Sequence, residues 1–339
     1  MTGVSGAGQW PGLDALEAAS VVVGDLVDLP DGLVGMPFAP TLPARGPWGE
    51  RVGLASGLLL DLPAELGPHG WKLADRPGRD LARVQAYARE DLDALAVAAH
   101  GYAGPLVVPV LGPLTLAASV YLARGDRVLS DAGAVREVAE SSAAGLGEHL
   151  AAVRRAVPAA ELTVLVHEPL LAQVLAGVLP TFSGYAALRR VPGPVAAERL
   201  ASVVAGARGG GAGSVVVHGG TAWSSLPALR ASGADGFALG VSGLGEPGWE
   251  RVAEAVESGL RLWAEVPPQQ SSQCAGPDVV GQADVVTRPW RSVGLPAAGL
   301  AEVVVLAGDP PTQATPDDAR AALAGAVRCA RIVIERSQA

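Results

Sequence analysis

The sequence predicts an α/β fold of the (β/α)8 TIM-barrel kind, a single domain over residues 1–339 with irregular N-terminal loops at about 25–50 and a polar loop at about 267–282. Three observations predict it. Short apolar runs alternate with longer segments of helical period from about residue 53 to the end, the pattern that gives a parallel sheet. The strand count reaches about eight once the N-terminal region is included. No shift in composition marks a linker. An open, doubly wound sheet is the alternative.

The clearest strand is Ser214-Val215-Val216-Val217-His218, stopped by Gly219-Gly220. A β-branched run between helical segments reads as a buried parallel strand. A polar residue at its carboxyl end falls where α/β folds carry their chemistry.

Taken in order, Gly6–Gly12 reads as a turn-rich loop, and Asp14 opens a helix over Ala15–Gly24. Prolines and glycines make Leu29–Gly49 an irregular excursion. The apolar run Gly53–Leu62, ending at Asp61, predicts a strand; Gly67–Trp71 predicts a loop and Asp80–His100 a long helix. Pro105–Leu111 is the next strand, followed by Gly112-Pro113-Leu114-Thr115 and a short helix to Leu122. Ser130-Asp131 supplies an N-cap for a helix through Arg155. Glu161–Val166 is a strand ending at His167-Glu168-Pro169, and helices follow to Gly177 and over Pro194–Arg208. Beyond His218 come helices near Ser224–Ser232 and Trp249–Gly259, strands at Gly236–Val241, Arg261–Val266 and Glu302–Ala307, and a short helix near Trp290–Gly294. Thr315-Pro316-Asp317-Asp318 caps the last helix, which runs to about Glu335: a Thr cap, Pro at the first helical position and acids in the first turn.

Composition narrows the function classes. Hydrophobic residues make up 49% and aromatics only 4%, so Val, Leu and Ala must fill the core. A net charge of −9 argues against nucleic-acid and anionic-membrane partners. Cys274 and Cys329 are the only cysteines and lie far apart, which leaves neither a zinc ribbon nor a disulfide scaffold. Met1–Ser5 has no basic segment followed by an apolar one, so no signal peptide is expected. The longest apolar stretch, Val164–Phe182, is interrupted by His167, Glu168, Pro169 and Gln173. A cytoplasmic protein is the expectation.

In a barrel the residues that matter follow the strands. Those positions hold Gln9-Trp10, Asp61, Gly112-Pro113, His167-Glu168, His218, Gly240, Glu265 and Asp309. His167, Glu168 and His218 are the candidate catalytic groups: a carboxyl for acid–base work with His167, whose residue type titrates near neutrality, and the strand-end His218. Capping of the following helix is the structural alternative for Glu168. Gln9, Trp10, Gly112 and Glu168 are candidate substrate-binding positions. Gly243, Gly245 and Gly248 match G-x-G-x-x-G between a strand and a helix, with Glu265 at the next strand end, which outlines a dinucleotide fingerprint. Its late position, in a chain with 44 glycines, makes this the weaker reading.

Several motifs together resemble the short single-barrel proteins of the cobalamin-independent methionine synthase family, similar to the C-terminal catalytic domain of the full enzyme. They are Gln9-Trp10-Pro11-Gly12, Leu42-Pro43-Ala44-Arg45-Gly46-Pro47, Gly70-Trp71-Lys72-Leu73-Ala74-Asp75-Arg76-Pro77-Gly78-Arg79-Asp80, Gly112-Pro113-Leu114-Thr115-Leu116, Glu168-Pro169, Val217-His218 and Pro289-Trp290-Arg291. The resemblance implies methyl transfer to the sulfur of homocysteine from a methylated folate, or from a methyl-corrinoid. It also implies a zinc ion that holds the sulfur as thiolate. Among the metal positions, His218 matches the first ligand, while Gly220 and Gly240 stand where a Cys and an acid are expected and Asp309 where a second Cys is expected. His218 and Asp309 are therefore the candidate metal pair, one imidazole and one carboxylate, fewer donors than a zinc site uses. The implied partner is a small homocysteine-like or folate-like molecule. A silent or repurposed barrel that binds a small ligand or a partner chain is the alternative from a different class.

Overall fold

In a computed structural model of the chain, which describes residues 1–267 and 278–338, eight strands form one parallel sheet. They are β1 (Thr2–Gly6), β2 (Leu33–Gly35), β5 (Pro105–Leu111), β6 (Glu161–His167), β7 (Ser214–His218), β8 (Gly236–Gly240), β9 (Arg261–Val266) and β10 (Val304–Ala307). Two more, β3 (Ala64–Gly67) and β4 (Gly70–Leu73), make a separate antiparallel hairpin. The order across the sheet is β2-β1-β10-β9-β8-β7-β6-β5. The sheet curls until its outer strands meet: Phe38, just past β2, bridges Val107 of β5. The Val107 N–H donates to Pro37 O at 2.7 Å and the Ala39 N–H to Val107 O at 2.9 Å. This mixed α/β architecture, with its curled parallel sheet, is consistent with a TIM-barrel-like fold.

Strands β5 to β10 follow the apolar runs of the sequence, within two residues at each end. Val215, Val216 and Val217 are all buried, as expected where helices cover one face of a parallel sheet and side chains fill the other. The first two strands are not among those read from the sequence. Leu33–Gly35 lies in a stretch expected to be irregular, and Thr2–Gly6 runs up to the expected loop at Gly6–Gly12. The reason is tertiary: a Cβ on Gly6 would stand 2.4 Å from the Phe38 ring, and one on Gly3 would stand 2.9 Å from Val304. Close approach inside the curled sheet demands glycines that local propensity counts against a strand.

Three other expectations are corrected. Gly53–Leu62 is not a strand; Arg51–Leu58 is a helix and Asp61 follows it, so Asp61 stands at no strand end. Short apolar runs fit either period, and here helix packing decides. The loop expected at Gly67–Trp71 is the turn and second strand of the β3–β4 hairpin. The helix near Trp290–Gly294 is longer, Val279–Ser292, with Trp290 buried inside it. Of the expected polar loop, residues 268–277, including Cys274, lie outside the described residues.

The predicted caps are present. The Asp14 carboxylate accepts from Leu16 N and Glu17 N, and that of Asp131 accepts from Ala134 N. Thr315 and Asp318 form a reciprocal capping box for the last helix, Pro316–Ser337. No helix among the described residues is long and apolar enough to cross a membrane.

The helix Ala132–Ala156 passes so close to the end of Arg51–Leu58 that a Cβ at Gly145 would sit 1.6 Å from the Leu58 carbonyl oxygen. Gly145→Ala is therefore expected to cost about 1–3 kcal/mol. Gly147→Ala, whose Cβ would clear the Gly206 carbonyl by 3.6 Å, should be neutral or stabilise by up to about 1 kcal/mol through helix propensity. Urea denaturation of the two variants decides it; equal midpoints would contradict this packing.

Candidate functional site

The carboxyl ends of the strands gather His167 on β6, His218 on β7 and Glu265 on β9, with Gly240 on β8 between the last two. His167 and His218 are register partners, so both rings point to the same side, with centroids 5.2 Å apart. The tautomer of His218 follows from its partners. Nδ1 accepts from the Gly220 N–H at 3.1 Å, so Nε2 carries the proton and donates to Glu265 Oε2 at 2.6 Å. Gly220 is held at a positive φ of 73°, a conformation that glycine adopts without strain.

His167 is buried, and among the described residues its Nε2 has no hydrogen-bond partner. Burial, then the Arg51 guanidinium and the His218 ring, push its basicity well below the usual imidazole range. It is neutral at pH 7. An unpartnered buried nitrogen beside a second imidazole marks a position that a ligand or water can complete.

Glu168 turns away from this chemistry. Its carboxylate accepts from Leu114 N at 2.9 Å, from Thr115 N at 2.7 Å and from the Thr115 hydroxyl at 2.6 Å. It thus caps the first turn of the short helix Pro113–Ser119, not the helix that follows it in sequence. Gly112 is part of the same lock, because a Cβ there would overlap the Glu168 carboxyl at 2.3 Å. Burial pushes the Glu168 carboxyl up to about 7, against those hydrogen bonds. Glu168 and Gly112 therefore join two strand-end loops.

Asp309 has partners of its own. The Arg51 guanidinium grips both of its oxygens, and the Gln9 N–H donates to Oδ1 at 3.1 Å. A further Arg51 N–H donates to Ala7 O at 2.6 Å. Arg51 thereby ties the ends of β1 and β10 to the helix that begins with it. The sequence reading missed Arg51, which lies just ahead of a run taken for a strand. Its partner is 258 positions away, so no local signal joins them.

An open cleft of about 740 Å³ lies over these ends, lined in part by Gln9, Trp10, Thr221, Ser242, Glu265 and Asp309. Of the candidate binding positions, Gln9 and Trp10 line it; Gly112 and Glu168 are buried beneath it. The cleft reaches His218 through Glu265.

A zinc ion held as the resemblance implies needs several free soft or basic donors. Both ring nitrogens of His218 are engaged, Gly220 and Gly240 offer no side chain, and Asp309 is clamped by Arg51 rather than facing His218. Among the described residues no three His, Cys, Asp or Glu side chains converge on one point. Cys329 is buried in the last helix, and burial pushes its thiol up to about 12. These residues do not fit the ion.

The glycine fingerprint has the strand–turn–helix setting it requires: β8, a turn with Gly243 at φ 81°, then the helix Glu246–Glu257. Glu246 puts a negative charge into the first turn, which disfavours a phosphate there. Gly248 packs against Trp223 and Leu244. The other resemblance motifs hold the framework: Trp290 Nε1 donates to Pro296 O, Arg45 pairs with Asp91 and Glu90, and Asp80 accepts from Trp48 Nε1 and Leu66 N.

No family model matches the chain, and no curated protein matches it. Solved structures do. One is a B12-independent methionine synthase from Shewanella sp. W3-18-1 in complex with selenomethionine, at 12% identity and a TM-score of 0.48 over 78% of this chain and 70% of that one. Another is a putative fructose-1,6-biphosphate aldolase from Coccidioides immitis, at 13% identity and a TM-score of 0.33 over 73% of this chain and 86% of that one. At these values neither likeness bears on the residues of the mouth.

The Glu168 lock has two measurable consequences. Glu168→Gln turns an acceptor oxygen into a donor amide opposite N–H and O–H donors, and should cost about 1–3 kcal/mol of stability in denaturant titrations. The folded carboxyl, at about 7 against an ordinary 4.5, holds its proton more tightly than the unfolded one. Its contribution is thus fully present below pH 4.5 and declines as pH rises toward 7, so stability measured relative to Glu168→Gln should fall across that window. A flat or rising difference would contradict the assignment.

Proposed function

We propose that this chain is a (β/α)8 barrel of the methionine synthase type that recognises a small polar molecule at the carboxyl ends of its strands without a metal ion. The observation that carries the proposal is the His218–Glu265 hydrogen bond, with the Gly220 N–H on the other ring nitrogen. The imidazole that a zinc ion would need is instead the inner member of a His–carboxylate pair.

That pair gives the cleft a definite chemical character. Glu265 keeps its side chain 28% exposed and has one oxygen on His218, so its carboxylate is open to a donor from the cleft. Asp309 is neutralised by Arg51. With Gln9, Thr221 and Ser242 on the same wall, the site suits a ligand bearing an amine or hydroxyl group more than an anion. Homocysteine, methionine and a methylated folate all carry such groups, and they are what the resemblance implies. Methylation of a thiol would additionally need a group to take up its proton. Among the described residues no three His, Cys, Asp or Glu side chains converge to take up that task.

Calorimetric titration of the whole chain with homocysteine, methionine and a methylated folate tests this. One of the three is expected to bind, with affinity reduced about ten- to a hundredfold by Glu265→Gln and comparably by His218→Ala. Added zinc should leave that affinity unchanged. Stoichiometric zinc that survives dialysis and is required for binding would overturn the proposal, as would binding indifferent to both substitutions.

A further inference from the structure

Beside β5 lies a second cavity of about 80 Å³. The helices Arg51–Leu58, Arg79–Ala98 and Ala132–Ala156 line it together with β5. Its walls are mostly aliphatic, with Leu54, Leu58, Leu92, Leu95 and Val153 among them. Four polar residues interrupt them, Thr41, Arg51, Asp91 and His149. On the helix Ala132–Ala156, Leu146, His149 and Val153 follow at three- and four-residue spacing, so His149 occupies a place in the apolar stripe.

His149 lines the cavity, and among the described residues no protein group hydrogen-bonds its ring. Burial alone pushes the imidazole down to about 4, so it is neutral, with one donor and one acceptor nitrogen unused. A sequence that needed only to fill this space would be better served by leucine, because a desolvated imidazole without a partner is unfavourable. Of the charged groups on the wall, Asp91 pairs with Arg45 at 2.8 Å, and Arg51 holds Asp309 and Ala7 O while its Nε has no partner among the described residues. The cavity therefore offers a largely aliphatic wall and, on it, a neutral imidazole that can donate or accept.

We propose that this cavity is a binding site for a small neutral alcohol, its hydroxyl on His149 and its carbon chain against the leucines. A hydroxyl both donates and accepts, so it suits either tautomer of the ring. The volume limits the ligand to about four to six heavy atoms, several times the room one water needs. The site is separate from the mouth cleft and does not depend on the function proposed for it.

The test uses the whole chain, with 1-butanol as the probe and the nitrogen resonances of the His149 ring and the neighbouring leucine methyls as the readout. A saturable response in the low-millimolar range is expected. His149→Leu keeps the enclosure and removes the polar partner, and should weaken binding at least tenfold. Ala55→Leu, on the cavity wall, should fill the space and abolish it. A response that grows linearly with concentration, or that is the same in all three proteins, overturns the proposal. So does a ring that stays bonded to a trapped water which 1-butanol fails to displace.

Discussion

Two backbone hydrogen bonds at Val107, one to Pro37 and one from Ala39, join the outer strands of the sheet, and the geometry of the mouth depends on that junction. A parallel sheet with a free edge would present unpaired N–H and C=O groups. Bringing β2 round to β5 removes the edge and turns all eight carboxyl ends toward one opening. It also forces small residues where strands or helices press together: Gly3 and Gly6 inside the sheet, Gly145 where two outer helices cross. The cost of glycine in a strand or helix is offset by packing that no larger residue could share.

Polar groups at the opening are engaged in pairs, and the pairs divide the labour. Arg51 with Asp309 and Glu168 with Thr115 fasten loops to one another. His218 with Glu265 forms a partly exposed dyad on the cleft wall. His167, beside them, has an Nε2 with no partner among the described residues. The same residue types thus serve structure or recognition according to what lies within hydrogen-bond distance, which is why a strand-end position by itself does not define a role.

Much of the scaffold was legible in the residues. Strands β5 to β10 announce themselves as apolar runs between helical segments, and Asp14, Asp131 and Thr315 announce the helices they cap. Legibility failed where local preference and tertiary demand disagree. Thr2–Gly6 carries no local strand signal, yet its glycines are what the crowded interior requires. Arg51–Leu58 is apolar and short enough to fit either period. Of the site, His218, Glu265, Gln9 and Trp10 could be picked out as strand-end residues, while Arg51 could not, since its partners Ala7 and Asp309 are remote in sequence.

The sequence by itself determined the alternation of strand and helix, because periodicity and capping are local properties written in neighbouring residues. It also determined that His218, Gly220, Gly240 and Asp309 stand at the positions where the resemblance implies metal ligands. Only the tertiary structure decided what those residues do. It gave His218 to Glu265, clamped Asp309 under Arg51, buried Glu168 as a cap and left His149 facing a cavity without a partner. Each of the three pairings joins residues more than 45 positions apart, and the physical reason is the same throughout: hydrogen bonding and burial are set by distance in space, which the curl of the sheet fixes and the order of the residues does not.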